Sequence, residues 1–284
     1  MMNRRRMIGV SAAALLTPRA ALAQTEIRET RAMGAQVVLR AEGATPVQAR
    51  GFFDAAERAL RHIEGQFSLF GESALLRLNR TGRLDHPGRD MLEVLTLAAE
   101  VHAATGGAFD PAVQPLWLAR AHGQPAPDAA RFAQVQIDAR AICLPRGAAL
   151  TLNGIAQGFA ADRLADIARR HGLPRVLVDA GEMAAIGAWD TGIAATDGQI
   201  IRQLRLDGRA LATSSGQGTL IGPERAPHII DPAGGRSPRG LVSVSADRAA
   251  LADALSTAFC VMDAPAINTT LAAFPKARIE AIHA

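Results

Sequence analysis

The chain has 284 residues, 49% of them hydrophobic, enough to bury a sizeable core as one large domain or two lobes. Its formal charge is +4, but residues 1–23 carry four arginines and no acid, so the remainder is neutral. No basic stripe with interleaved aromatics occurs, which argues against a nucleic-acid partner.

The N-terminus reads as a targeting segment. Arg4-Arg5-Arg6-Met7-Ile8 precedes an apolar run from Gly9 to Leu16, then Ala21-Leu22-Ala23, a small-x-small cleavage pattern. The run is too short to span a bilayer. The arginine pair followed by x-Met-Ile is similar to a twin-arginine export signal, and a general secretory signal would lead to the same compartment. The expectation is a signal over 1–23 and a periplasmic mature domain over 24–284, with no membrane span. Cys143 and Cys260 fall in different elements, and spacing alone leaves a disulfide or two free thiols open.

Beyond the signal, Met33 to Ala41 reads as a strand. Thr45 and Gln48 flank Pro46 as a capping box, opening a helix with Phe52, Ala56, Leu60, Ile63 and Phe67 on its apolar face. A polar loop through Glu72 leads to Leu75–Asn79. A second helix covers Arg89 to Ala104. Pro111 to Asp128, with four prolines, reads as irregular. Short strands are expected near 134–138, 141–144 and 148–152, then a helix to His171, a strand over Arg175–Ala180 and an antiparallel meander over 183–213. Leu241–Ala246 is a further strand, Asp247 is placed to cap a helix over 248–262, and Ala277–His283 closes the chain. Short strands with a few helices indicate an α+β fold of mixed sheets and packed helices.

Three places carry chemistry. Asn153-Gly154 ends an extended run, and the next helix holds Gly158 in its first turn; free N–H groups there suit a phosphate, although such junctions also serve packing. Helix 248–262 is apolar nearly all round, yet Asp253, Ser256, Thr257 and Cys260 share one face. Asp253 and Thr257 offer oxygens one turn apart, suited to Mg²⁺; a partner arginine or an exposed helix edge would explain the carboxylate equally. His228, ahead of Ile229-Ile230-Asp231-Pro232, is either a general base or a structural histidine.

Together these segments resemble the ApbE family, the FAD:protein FMN transferases. Met33-Gly34-Ala35 is similar to its early Met-Gly-Thr, and Glu72–Asn79 to its Ser-Glu-Ile-Ser-x-Leu-Asn. Thr105–Pro111 is similar to TGGxFDP, and Leu152–Asp162 to DLGGIAKGYAxD. Asp179–Glu182, Ala212–Ser215, His228–Pro232 and Asp253–Thr257 resemble later motifs in the same order. The resemblance implies an ApbE-like, T-fold-related fold. It implies binding of FAD and Mg²⁺, and FMN transfer to a Thr or Ser of an acceptor protein with release of AMP. It places the metal on Asp253 and Thr257, with Gly154 and Ser256 assisting, and the base at His228. Flavin and adenine contacts fall to Met33, Asn79, Ala108, Phe109, Asp110 and Glu182, with Gln157 by the phosphates. Gln157 and Phe159 replace the usual Lys and Tyr. The Asn153–Gly158 and Gly181-Glu182 variants, with the export signal, resemble the NosX branch, associated with nitrous-oxide respiration and a membrane electron-transfer acceptor. The alternatives are a non-catalytic FAD carrier, a respiratory assembly factor, and a Mg²⁺-dependent FAD pyrophosphatase.

Overall fold

The computed structural model describes residues 13–14, 25–128 and 131–283. The expected signal over 1–23 lies outside the described residues, apart from Ala13–Ala14, which form the two-residue strand β1.

Strands β2 (Thr25–Ala32) and β3 (Ala35–Glu42) form a hairpin. Met33 and Gly34 make its turn with φ of 51° and 79°. Positive φ at both central residues matches the twist of paired strands, so Met33 sits in the turn and not at the start of a strand. Helix α1 (Pro46–Phe67) begins with the capping box read from sequence: Gln48 N–H donates to Thr45 Oγ1, and Thr45 N–H donates to Gln48 Oε1. Helix α2 (Ala74–Thr81), which hydrophobic spacing did not reveal, is capped by Ser73 Oγ and ends at left-handed Gly82. Strand β4 (Arg83–Asp85) and helix α3 (Arg89–Ala104) follow.

The proline-rich stretch expected to be irregular is partly helical. A 3-10 turn, Pro111–Val113, runs into α4 (Gln114–Ala121). Pro111 and Pro115 occupy first-turn positions, where a missing N–H costs no hydrogen bond, and Asp110 accepts from Ala112 N–H. Strands β5 (Gln136–Ile137) and β6 (Ala141–Cys143) pair with each other and β6 with β4. The strand expected over 148–152 joins no ladder. Asn79 replaces the missing neighbour: its amide donates to Leu150 C=O and accepts from Leu150 N–H, at 2.8 and 2.7 Å.

The rest alternates helix and meander: α5 (Ala156–Arg170), β7 (Arg175–Asp179), β8 (Met183–Ile186), β9 (Ala188–Ala194), β10 (Ile200–Asp207) and β11 (Ala210–Ser214). The small hairpin β12 (Leu220–Ile221) and β13 (Ala226–Pro227) precedes β14 (Leu241–Ala246) and α6 (Ala249–Phe259). Helix α7 (Ala264–Ala273), capped by Asp263, was not legible in the sequence; β15 (Arg278–His283) ends the fold.

Seven strands form one antiparallel sheet in the order β15-β14-β11-β8-β7-β3-β2, giving the α+β class. Alternation sends Val37, Leu39, Val176, Val178, Ala212, Val242 and Val244 into the core shared with the helices. Leu177, Met183, Leu211 and Leu241 point the other way, into a second core under Trp189, Ile193 and Leu206 of the β9–β10 ribbon. Register then fixes one edge. Asp179 lies opposite both Val38 and Met183, and Leu211 opposite Met183. The Met33–Gly34 turn, the turn at 180–182 and the end of β11 at Ser214 therefore line the same edge of the sheet. Among the described residues, no helix is long and apolar enough to cross a membrane.

Candidate functional site

Helices α5 and α6 run antiparallel, and their contacts step along one turn at a time. At the far end Asp162 accepts from Ala249 N–H (2.7 Å) and Ala250 N–H (3.1 Å). One turn nearer the sheet edge, Gly158 N–H donates to Asp253 Oδ2 (3.1 Å). At the edge itself, a Cβ on Gly154 would lie 2.9 Å from Thr257 Oγ1. Asp162, from the neighbouring helix, thus caps α6, whereas the expected cap Asp247 pairs with Lys276.

Gly158 serves this approach and not an open phosphate cradle. Its N–H is spent on a carboxylate, and a Cβ there would lie 2.3 Å from Ala249 O. Backbone cannot retreat as a side-chain tip can, so Gly158→Ala must pry the helices apart. We expect this substitution to cost several kcal/mol, as overpacking against fixed backbone does. The check is a thermal melt: an unchanged melting temperature would contradict the close approach.

The polar face of α6 gathers oxygens. Asp253 and Ser256 are buried. Ser256 Oγ donates to Asp253 C=O (3.0 Å) and shares a hydrogen bond with Ser214 Oγ (2.8 Å), which also lies 3.2 Å from Thr257 Oγ1. Ser214, at the end of β11, joins this group from outside the helix; it lies within the Ala212–Ser215 motif, whose sequence alone assigns it no role. Burial pushes the Asp253 carboxyl up to about 7, against the pull of the Gly158 N–H. Glu182, also buried, is pushed well above the ordinary glutamate value by burial and by the charge of Asp253; it accepts from Thr213 N–H at 3.0 Å. Asp179 is raised to about 6, chiefly by burial.

Burial thus holds all three carboxyls toward the neutral form. Among the described residues no three His, Cys, Asp or Glu side chains converge as a metal cage. A carboxylate with hydroxyl oxygens nevertheless suits Mg²⁺, which takes few protein oxygens and completes its shell with water and substrate phosphates.

Gln157 packs on the turn that carries Glu182: a Cβ on Gly181 would lie 2.9 Å from Gln157 Cδ, and Gly181 has φ +94°. Phe159 stacks edge-on to Phe67, beneath the Arg163 guanidinium, within the core. The half-buried Met33 donates its N–H to Glu64 (2.7 Å) at the shared edge. Phe109 and Asp110 are buried and Ala108 half-buried in the turn after α3. There Thr105 Oγ1 accepts from Phe109 N–H, and Asp110 accepts from Ala112 and Phe132 N–H groups. Both cysteines are free, and burial pushes the Cys260 thiol up to about 12.

His228 follows β13 in a half-buried bend. Its Nδ1 lies 3.1 Å from Thr219 C=O, an acceptor only, so Nδ1 carries the proton and Nε2 keeps the lone pair. Burial lowers its pKa below the ordinary 6.5. The neighbouring Asp231 spends its carboxylate on the N–H groups of Ala233, Gly235 and Arg236.

A profile of the ApbE family matches residues 33–282. This chain belongs to the ApbE family. The FAD:protein FMN transferase of Klebsiella pneumoniae (strain 342) is 28% identical over 189 residues, 58% of this chain and 59% of that protein. The alignment thus covers less than two thirds of that relative's length. The ApbE protein of Thermotoga maritima superposes with a TM-score of 0.79 at 23% identity, covering 90% of this chain and 93% of its own. The flavin transferase ApbE of Vibrio cholerae gives 0.74 at 22% identity, covering 88% and 91%. At such identities these structures establish the ApbE fold for this chain.

Proposed function

We propose that this protein transfers the FMN moiety of FAD to a Thr or Ser hydroxyl of an acceptor protein, in a Mg²⁺-dependent reaction that releases AMP. The observation that carries the reading is the meeting of Asp253, Ser256 and Thr257 with Ser214 and the side-chain-free Gly154 at the sheet edge. Membership of the ApbE family supports it. Mg²⁺ held by Asp253 and Thr257, with Gly154 and Ser256 assisting, would neutralise pyrophosphate charge.

The chain's own residues supply the rest. His228 Nε2 takes the proton of the acceptor hydroxyl, whose oxygen attacks the flavin-side phosphorus. The bond between that phosphorus and the bridging oxygen breaks, AMP leaves, and a phosphoester remains on the acceptor. Gln157, packed on the Glu182 turn, offers the phosphates a hydrogen bond where a lysine would offer charge. The turns at Met33 and Glu182, with Asn79 and the 108–110 segment, bind the flavin and adenine ends. Water in place of the hydroxyl gives FMN and AMP.

The export signal over 1–23 supports a periplasmic setting, with the acceptor in a membrane electron-transfer complex, of the kind used in nitrous-oxide respiration. The test is the mass of a periplasmic acceptor domain after incubation with FAD and Mg²⁺. The expected result is a gain of one FMN, prevented by chelator. Conversion of FAD to FMN and AMP with an unlabelled natural partner would make the protein a pyrophosphatase. Bound, intact FAD would make it a carrier.

A further inference from the structure

The segment His228–Asp231 stands between two prolines, and a side chain from elsewhere holds each proline's carbonyl. Arg120 Nη1, from α4, donates to Pro227 C=O at 3.0 Å. Arg131 Nη1 donates to Pro232 C=O at 2.6 Å. The two arginines come from one unit. Asp110 caps the turn leading into α4 through Ala112 N–H, and its carboxylate also accepts from Phe132 N–H, beside Arg131. The hairpin ahead of His228 is seated on the same unit. Gly222 has φ +70°, and a Cβ there would lie 2.2 Å from Arg120 O. Proline has no N–H, so Pro227 and Pro232 themselves offer only a carbonyl to hold the backbone on either side of the segment. Charged guanidinium donors secure the carbonyls instead.

Resting on the proposed role of His228, we infer that Arg120 and Arg131 are positioning residues for that histidine. Thr219 fixes the ring: its carbonyl accepts from His228 backbone N–H and from Nδ1, both at 3.1 Å. The two arginines fix the backbone that carries the ring, one on each side. Neither guanidinium is assigned a contact with FAD. Their effect runs through the place at which Nε2 is presented to the acceptor hydroxyl.

The experiment compares the full mature chain with Arg120→Ala and Arg131→Ala, and with Arg131→Lys, which keeps one charged donor. Labelling kcat should fall on the order of 10–100-fold in the alanine variants, the scale of a misplaced reacting group. KM for FAD should hold, and the lysine variant should be intermediate. Added guanidinium should restore part of kcat to Arg131→Ala and none to His228→Ala. A readout free of catalysis is the ¹⁵N spectrum of the His228 ring. Wild type should show the Nδ1-protonated tautomer alone, and the alanine variants a broadened or mixed signal. Unchanged His228 signals in both alanine variants would overturn the inference, whether or not wild type labels an acceptor. Wild-type labelling rates in both would overturn it too and leave the transferase reading intact.

Discussion

Asp253→Asn is expected to abolish FMN transfer, with a loss on the order of 10³-fold or more, while leaving the fold intact. The amide keeps the volume of the carboxylate and can still accept from Gly158 N–H, so the contact between α5 and α6 survives. What disappears is the charge that would hold a cation. The same change should stabilise the metal-free protein. Folded Asp253 is raised to about 7 from its ordinary 3.8 by burial, so its ionisation opposes folding. That penalty is absent below the ordinary value, grows across the interval and is complete above about 7. At pH 8 the metal-free variant should therefore melt higher than wild type, and near pH 3 the difference should vanish. Transfer by Asp253→Asn at the wild-type rate in chelator would remove the metal from the mechanism.

His228→Ala should bind FAD with wild-type affinity and lose labelling on the order of 10²–10⁴-fold, the usual contribution of a general base. The pH dependence identifies the group. Burial holds His228 below 6.5, so the imidazole is a competent base over a wider acidic range than a free histidine. Wild-type kcat/KM should fall on the acid side with a midpoint below 6.5, and that limb should be missing from the residual activity of the variant. A midpoint above 6.5, or a variant that labels normally, would move the proton transfer elsewhere.

The parts of the fold that were legible in sequence are those whose signal lies in a short run of residues. The Thr45–Gln48 capping box, the limits of α3 at Arg89 and Ala104, and strand Leu241–Ala246 can each be read from a few adjacent residues. The misreadings share a cause. Leu150 finds its ladder partner in a side chain 71 residues earlier, and α6 takes its cap from Asp162, 87 residues before Ala249. No local pattern encodes either. The prolines near α4 signal a break when counted but a start when placed, because only position decides whether the missing N–H matters.

The candidate site divides in the same way. The stripe of Asp253, Ser256 and Thr257 follows from helical spacing. The carboxylate of Asp253 was expected to need a partner, and the partner is a backbone N–H at Gly158, a residue whose sequence context suggested an open anion cradle. The arginines that bracket the His228 segment could not be anticipated, since their partners are carbonyls about a hundred positions away, at |i−j| of 107 and 101.

The antiparallel seam between α5 and α6 bears on when the protein first becomes able to act. The Gly158–Asp253 bond joins residues 95 positions apart, and β7 to β14 lie between them in the chain. Closing a loop of that length costs entropy before any contact repays it, and such distant pairings form slowly. A chain still emerging from the ribosome, or cut short before α6, holds the glycine-bearing helix but none of the oxygens on α6. The cluster of Asp253, Ser256 and Thr257 therefore depends on the last 36 residues of the polypeptide, and a chain that stops before α6 lacks it.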